Sequence, residues 1–132
     1  MKLFDTTGRA NRARYLVHSL AAPLVFVLFI LLLGGIHDFV GQSAGEPNTL
    51  AMALLGGSYF VAVVVFLTTE LCATIQRLHD LDRPGSHWFL LLIPFYNLYL
   101  GLLLYFKKGT VGPNRFGEDP LSSVSGAALS TT

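Results

Sequence analysis

The sequence predicts an all-α integral membrane protein, with three transmembrane helices joined by short polar caps. Two observations lead there. Of 132 residues, 52% are hydrophobic and only 13% are charged, against roughly a quarter charged in a soluble domain. The chain therefore lacks the polar surface a water-exposed fold needs. The apolar residues also gather into three blocks, each about as long as a helix must be to cross the roughly 30 Å hydrocarbon core of a bilayer. The length allows one domain. A net charge of +1 offers no electrostatic footprint for nucleic acid. A single cysteine excludes an intrachain disulfide or thiolate cluster.

The first span covers residues 16–36, where only His18 and Ser19 interrupt the apolar run. It is too long for a signal-peptide core, and no Ala-x-Ala-like site follows it, so it reads as uncleaved. The second covers residues 49–71 and includes Val63, Val64 and Val65. These are poor helix formers in water, but in lipid an unpaired amide costs several kcal/mol and enforces the helix. The third covers residues 88–106. Tyr15, Trp88, Tyr105 and Phe106 stand at block ends, where aromatic rings meet lipid headgroups. Residues 1–120 form one membrane domain, and the small, polar tail 121–132 reads as disordered.

Charge placement sets orientation. Lys2, Arg9, Arg12 and Arg14 precede the first span, and Arg77 and Arg83 follow the second. The loop from His37 to Asn48 carries no basic residue. The positive-inside rule then places the N-terminus in the cytoplasm. Lys107, Lys108 and Arg115 create a conflict, because three full spans would put them outside. A third block that is re-entrant at Pro94 would keep every basic residue inside. Its arms would reach only about 14 Å, and irregular backbone at that depth needs protein cover. The three-span reading is preferred, with the third helix kinked, or re-entrant, at Pro94.

Three polar clusters flank the spans. They are Gly8-Arg9-Ala10-Asn11-Arg12-Ala13-Arg14-Tyr15, then Arg77-Leu78-His79-Asp80-Leu81-Asp82-Arg83-Pro84-Gly85, then Gly109-Thr110-Val111-Gly112-Pro113-Asn114-Arg115-Phe116-Gly117-Glu118-Asp119-Pro120. In order and spacing they resemble the bacterial inner-membrane family known as domain of unknown function 805. That family shows G-R-x-x-R-x-x-Y before span one, R-L-H-D after span two and G-P-N-R-[FY]-G-x-D-P after span three. The resemblance covers residues 8–120. It implies a bacterial inner-membrane location and no reaction. Carried onto this chain, its motif positions are Gly8, Arg9, Arg12, Tyr15, Arg77, His79, Asp80, Asp82, Asn114, Arg115, Gly117 and Asp119. Leu16 and Ser86-His87-Trp88 depart from the pattern, where many members have Trp after the Tyr and paired Trp opening the third span.

The residues allow several roles. Arg9 and Arg12 would share a helix face if the first helix began that early, and with Arg14 could contact anionic lipid headgroups. Arg115 or Arg9 could pair with Asp80 or Asp82 and tie the clusters into a cap, provided the third block returns to the same side. His79, Asp80, Asp82 and His87 match no zinc spacing, and no cofactor motif is present. Glu70 has His18 as its one ionisable companion within the spans, a thin basis for proton handling. Ala53 with Gly57, and Ser58 with Ala62, are small residues four apart that let helices approach closely, either within the chain or in a homo-oligomer. The function expected is a non-enzymatic membrane interaction or structural subunit that contacts lipid or an unknown membrane protein. The alternatives are a small oligomeric transporter or channel, and a membrane enzyme using His79, Asp80 and Asp82.

Overall fold

The computed structural model describes residues 4–43 and 49–122. All regular elements there are helical: α1 (Arg12–Ser43), α2 (Thr49–Asp80), a 3-10 helix (Gly85–Leu92) and α3 (Tyr96–Phe106). The expectation of a disordered tail falls, from residue 123 on, outside the described residues.

Helices α1 and α2 have 32 residues each and so are about 48 Å long, more than a bilayer core requires. α1 starts at Arg12 because Asn11 caps it. The Asn11 side-chain oxygen accepts the Arg14 amide at 2.8 Å, and its carbonyl accepts Tyr15 N at 3.0 Å, which satisfies first-turn donors. Arg9 therefore lies ahead of the helix and shares no helical face with Arg12, contrary to the i, i+3 expectation. α2 ends in a Schellman motif. Arg83 N bonds Leu78 O at 2.9 Å and Asp82 N bonds His79 O at 3.0 Å, with Asp82 in the left-handed region at φ 56°.

The third apolar block is not one helix. Pro94 supplies no amide donor and forces Ile93 into an extended conformation, φ −89° and ψ 117°, which ends the preceding helix. Phe95 then takes φ 65° and is almost fully exposed. Tyr96 N bonds Pro94 O at 2.8 Å and Asn97 N bonds Ile93 O at 2.9 Å, so the turn satisfies much of its own backbone. The eight-residue 3-10 helix rises about 16 Å, and the eleven residues of α3 also rise about 16 Å. The two pack against each other as a hairpin.

The chain divides into two compact units. In one, formed by residues 20–68, Phe26 stacks on Phe66 with ring centroids 4.4 Å apart. Its large apolar side chains, Leu24, Leu31, Phe60 and Val64 among them, are exposed, as lipid-facing residues are. The other unit combines residues up to 19 with residues from 69 on. Its core holds Tyr15, Ala73, Leu78, Leu81, Leu100, Leu103 and Leu104, with Trp88, Leu90, Leu91, Tyr96 and Tyr105 packed against it. Tyr15 is thus a core residue, its ring 5.5 Å from that of Tyr105, and not the headgroup marker its position suggested.

Candidate functional site: a polar cap of three chain segments

The three polar clusters meet around one carboxylate. Asp80, in the last turn of α2, is buried. Its Oδ1 accepts Arg9 Nε at 3.2 Å and Arg9 Nη2 at 3.1 Å, a bidentate approach from one guanidinium edge. Its Oδ2 accepts Arg77 Nη1, one helical turn earlier. Burial of this carboxylate requires a counter-charge, because an unpaired ion in this setting costs several kcal/mol, and the second guanidinium adds a surplus positive charge that carbonyl acceptors must satisfy.

Both arginines then spend their remaining donors on the third cluster and the end of α3. Arg9 gives Nη1 to Gly112 O at 2.7 Å and to Gly117 O at 3.3 Å, and Nη2 to Thr110 O at 2.5 Å. With the two bonds to Asp80, these occupy all five N–H groups of its planar fork. Arg77 gives Nε to Leu104 O at 2.8 Å and Nη2 to Lys107 O. It thereby caps carbonyls at the C-terminus of α3, where a cation also suits the helix dipole. Arg77 has no exposed surface.

The backbone joins the same knot. Thr110 N and Oγ1 both bond Asp80 O, at 2.8 and 3.1 Å. Asn114 Nδ2 bonds His79 O at 2.9 Å and Thr110 Oγ1 at 2.8 Å. Ala10 N bonds Gln76 O at 3.0 Å, and Gln76 Nε2 donates to Asp5 O. The loop lies so close that a Cβ on Gly109 would run into the Asp80 carboxylate. Gly112 turns at φ 79°, a left-handed conformation open to glycine, and its carbonyl accepts from Arg9.

A lighter layer lies outside. Arg115 Nε meets Asp82 Oδ1 at 3.1 Å with both side chains about half exposed, and Arg115 Nη2 bonds Asp82 O at 2.6 Å. The His79 ring stacks on Phe116, centroids 3.9 Å apart, with its Nδ1 3.2 Å from Gly8 O, and the Arg115 guanidinium lies over the same Phe116 ring. Asp119 accepts Gly112 N at 3.0 Å and Leu121 N at 2.9 Å. These two amide bonds hold its carboxyl below the ordinary aspartate value.

The twelve motif positions therefore divide by burial. Arg9, Tyr15, Arg77 and Asp80 are buried, while Arg12 is exposed and bonds Phe106 O at 3.4 Å. Arg9 is committed to Asp80, with its side chain almost fully buried. His79, Asp80 and Asp82 each engage a different partner: the Gly8 carbonyl and Phe116 ring, the Arg9 and Arg77 guanidiniums, and Arg115. Sequence reading missed Thr110, Gly109 and the carbonyls of Leu104 and Lys107. The glycines of the third cluster were a signal of close backbone approach, whereas carbonyl acceptors leave no trace in side-chain identity.

Elsewhere in this unit, His18 Nδ1 stands 3.5 Å from Glu70 Oε1, with the His18 side chain largely buried. Helix positions 18 and 70 were the two ionisable groups within the apolar spans, and the fold places them together.

The sequence that carries these clusters matches one known family. Its model, described as a protein of unknown function (DUF805), covers residues 3–118. The chain belongs to the DUF805 family. Among relatives, inner membrane protein YhaI of Escherichia coli K12 is 32% identical over 114 residues, 86% of this chain and 84% of YhaI. Inner membrane protein YhaH of the same strain is 33% identical over 114 residues, with the same coverage. No solved structure matches the chain. This DUF805 chain is thus a helical membrane protein, in a family with no biochemical activity indicated.

Proposed function

We propose that this DUF805 chain is a non-enzymatic structural or interaction subunit of the bacterial inner membrane. In this reading α1 and α2 span the bilayer, and the third apolar block dips into one leaflet and returns. The polar cap is a rigid cytoplasmic platform at the membrane surface. The observation that carries the reading is the Arg9–Asp80–Thr110 junction. It joins chain from before the first apolar block, from after the second and from after the third, and segments in contact lie on one side of a bilayer. Each arm of the third block is about half a hydrocarbon thickness long, and the exposed Phe95 tip suits lipid. All nine Lys and Arg residues then share the cytoplasmic side, as the positive-inside rule favours. Exposed basic residues around the cap would face anionic headgroups. The platform would also offer a surface to a membrane protein partner.

A topology reporter fused after Pro120, read in cytoplasm and periplasm, tests this. A cytoplasmic signal supports two spans with a re-entrant block, and a periplasmic signal restores three.

The His18–Glu70 contact favours a second reading, proton or ion handling by an oligomer. Proton flux into liposomes carrying the protein, abolished by Glu70→Gln, would support it. The absence of flux above empty liposomes would remove it.

A further inference from the structure

We propose that the cap carries a dedicated pocket for the phosphate headgroup of an anionic glycerophospholipid, between the first turn of α1 and the segment following α3. The proposal rests on the reading of the cap as the cytoplasmic face of the protein. A cavity of about 230 Å³ opens there, lined by Asn11, Arg12, Ala13 and Lys108 together with Thr110 and Val111. A water occupies about 30 Å³ of liquid, so the space admits a phosphate with a small polyol attached.

Charge complementarity decides the ligand class. Two acids, Asp80 and Asp119, also line the cavity, and both are tied to partners within the chain. Asp80 is held by Arg9 and Arg77, and the Asp119 oxygens accept the Gly112 and Leu121 amides. Arg9 and Arg77 lie behind the lining and hold Asp80; counted with Arg12 and Lys108 against Asp80 and Asp119, they leave two positive charges around the cavity. Arg12 and Lys108 are the exposed pair that supplies them. Arg12 spends one donor on a long bond to Phe106 O, which leaves most of its fork for a phosphate oxygen pair. Arg12 and Ala13, which line the cavity, are the first two residues of α1, whose amides have no helical acceptor.

The surroundings favour a lipid over free phosphate. Val111 and Leu121 line the cavity and are well exposed, and Phe106, whose carbonyl accepts from Arg12, is exposed as well. Cations flanked by exposed apolar groups, at the level where the apolar helices begin and end, match a headgroup with its acyl chains alongside.

The test is native mass spectrometry of the full chain in detergent. It is titrated separately with phosphatidylglycerol, phosphatidylcholine and glycerol 3-phosphate. Wild type is compared with Arg12→Gln/Lys108→Gln and with a charge-matched pair outside the cavity, Arg14→Gln/Lys107→Gln. Both variants must first melt at the wild-type temperature without lipid, and Arg12→Lys/Lys108→Arg replaces the first pair if it does not. The expected result is preferential phosphatidylglycerol binding, about thirtyfold weaker in the Arg12/Lys108 glutamine variant and little changed in the outer pair. In the charge-conserving variant, position 12 loses its planar fork while the total charge is retained, and binding still weakens. Equal weakening by the inner and outer pairs overturns the pocket in favour of diffuse surface attraction. Binding of glycerol 3-phosphate as tight as that of the lipid overturns the lipid assignment. Neither result touches the topology, which the reporter fusion decides on its own.

Discussion

Arg9 and Asp80, 71 positions apart in the chain, form a buried bidentate pair with Nε and Nη2 at 3.2 and 3.1 Å from one carboxylate oxygen. The side chains are 1% and 3% exposed, so the pair works in a low dielectric where each charge depends on the other. Arg77 makes the set a triad with one surplus positive charge, and backbone carbonyls absorb the remaining donors. The cap is therefore an all-or-none assembly: no member can leave without stranding a buried ion.

Asp80→Asn is expected to be the most damaging conservative change in the cap. It leaves two buried guanidiniums without a counter-charge, at a cost of about 3–5 kcal/mol. By contrast Arg115→Ala breaks an ion pair exposed on both sides and should cost under about 1 kcal/mol. Thermal melting in detergent should rank Asp80→Asn far below wild type and Arg115→Ala close to it. An unchanged melting temperature for Asp80→Asn would mean that the triad does not hold the cap together.

Gly109→Ala should unseat the third cluster, because the added methyl meets the Asp80 carboxylate. Gly101→Ala, in α3, places its methyl in open space and should be neutral or slightly stabilising through helix propensity. Limited proteolysis after residue 106 would report the difference, with faster cleavage expected for Gly109→Ala alone.

Asp119 gives the cap a pH dependence of known sign. Its folded pKa is depressed by the Gly112 and Leu121 amides. Its contribution is therefore fully present above the ordinary aspartate value and is lost as pH falls through the lower folded value. Hydrogen exchange at Gly112 and Leu121, corrected for intrinsic rates, should accelerate in that acid range. Asp119→Asn should show the faster exchange already at neutral pH, and a variant protected like wild type would contradict this.

Gly57 decides where the small residues of α2 pack. A Cβ there meets nothing within 4 Å, and both Ala53 and Gly57 are exposed. Gly57→Leu should therefore leave the fold of the single chain intact. If the Ala53/Gly57 and Ser58/Ala62 face joins two copies, crosslinking in native membranes should lose its dimer band in this variant. A dimer band of undiminished strength would place any self-association elsewhere.

Much of this architecture was legible in the residues. Helicity and membrane residence follow from uncharged blocks such as Leu24–Leu33 and Val61–Leu67, because lipid leaves the backbone no other partner for its amides. Pro94 marked the break in the third block. The Arg77–Asp80 neighbours follow from helical spacing alone. Other features were not legible. Tyr15 looked like an interfacial ring because its burial depends on Leu100 and Leu104, far along the chain. Arg9 looked like a lipid contact because nothing local reveals that its fork closes on Gly112 and Gly117 carbonyls.

The sequence by itself determined a helical membrane protein, its polar boundaries and its family, because these depend on local composition and short-range order. Only the tertiary structure decided that the three boundaries converge on Asp80 and that the third block folds back as a hairpin. Both outcomes depend on long-range pairing: a buried carboxylate must find its cations wherever the chain brings them, and spacing along the sequence does not encode that meeting.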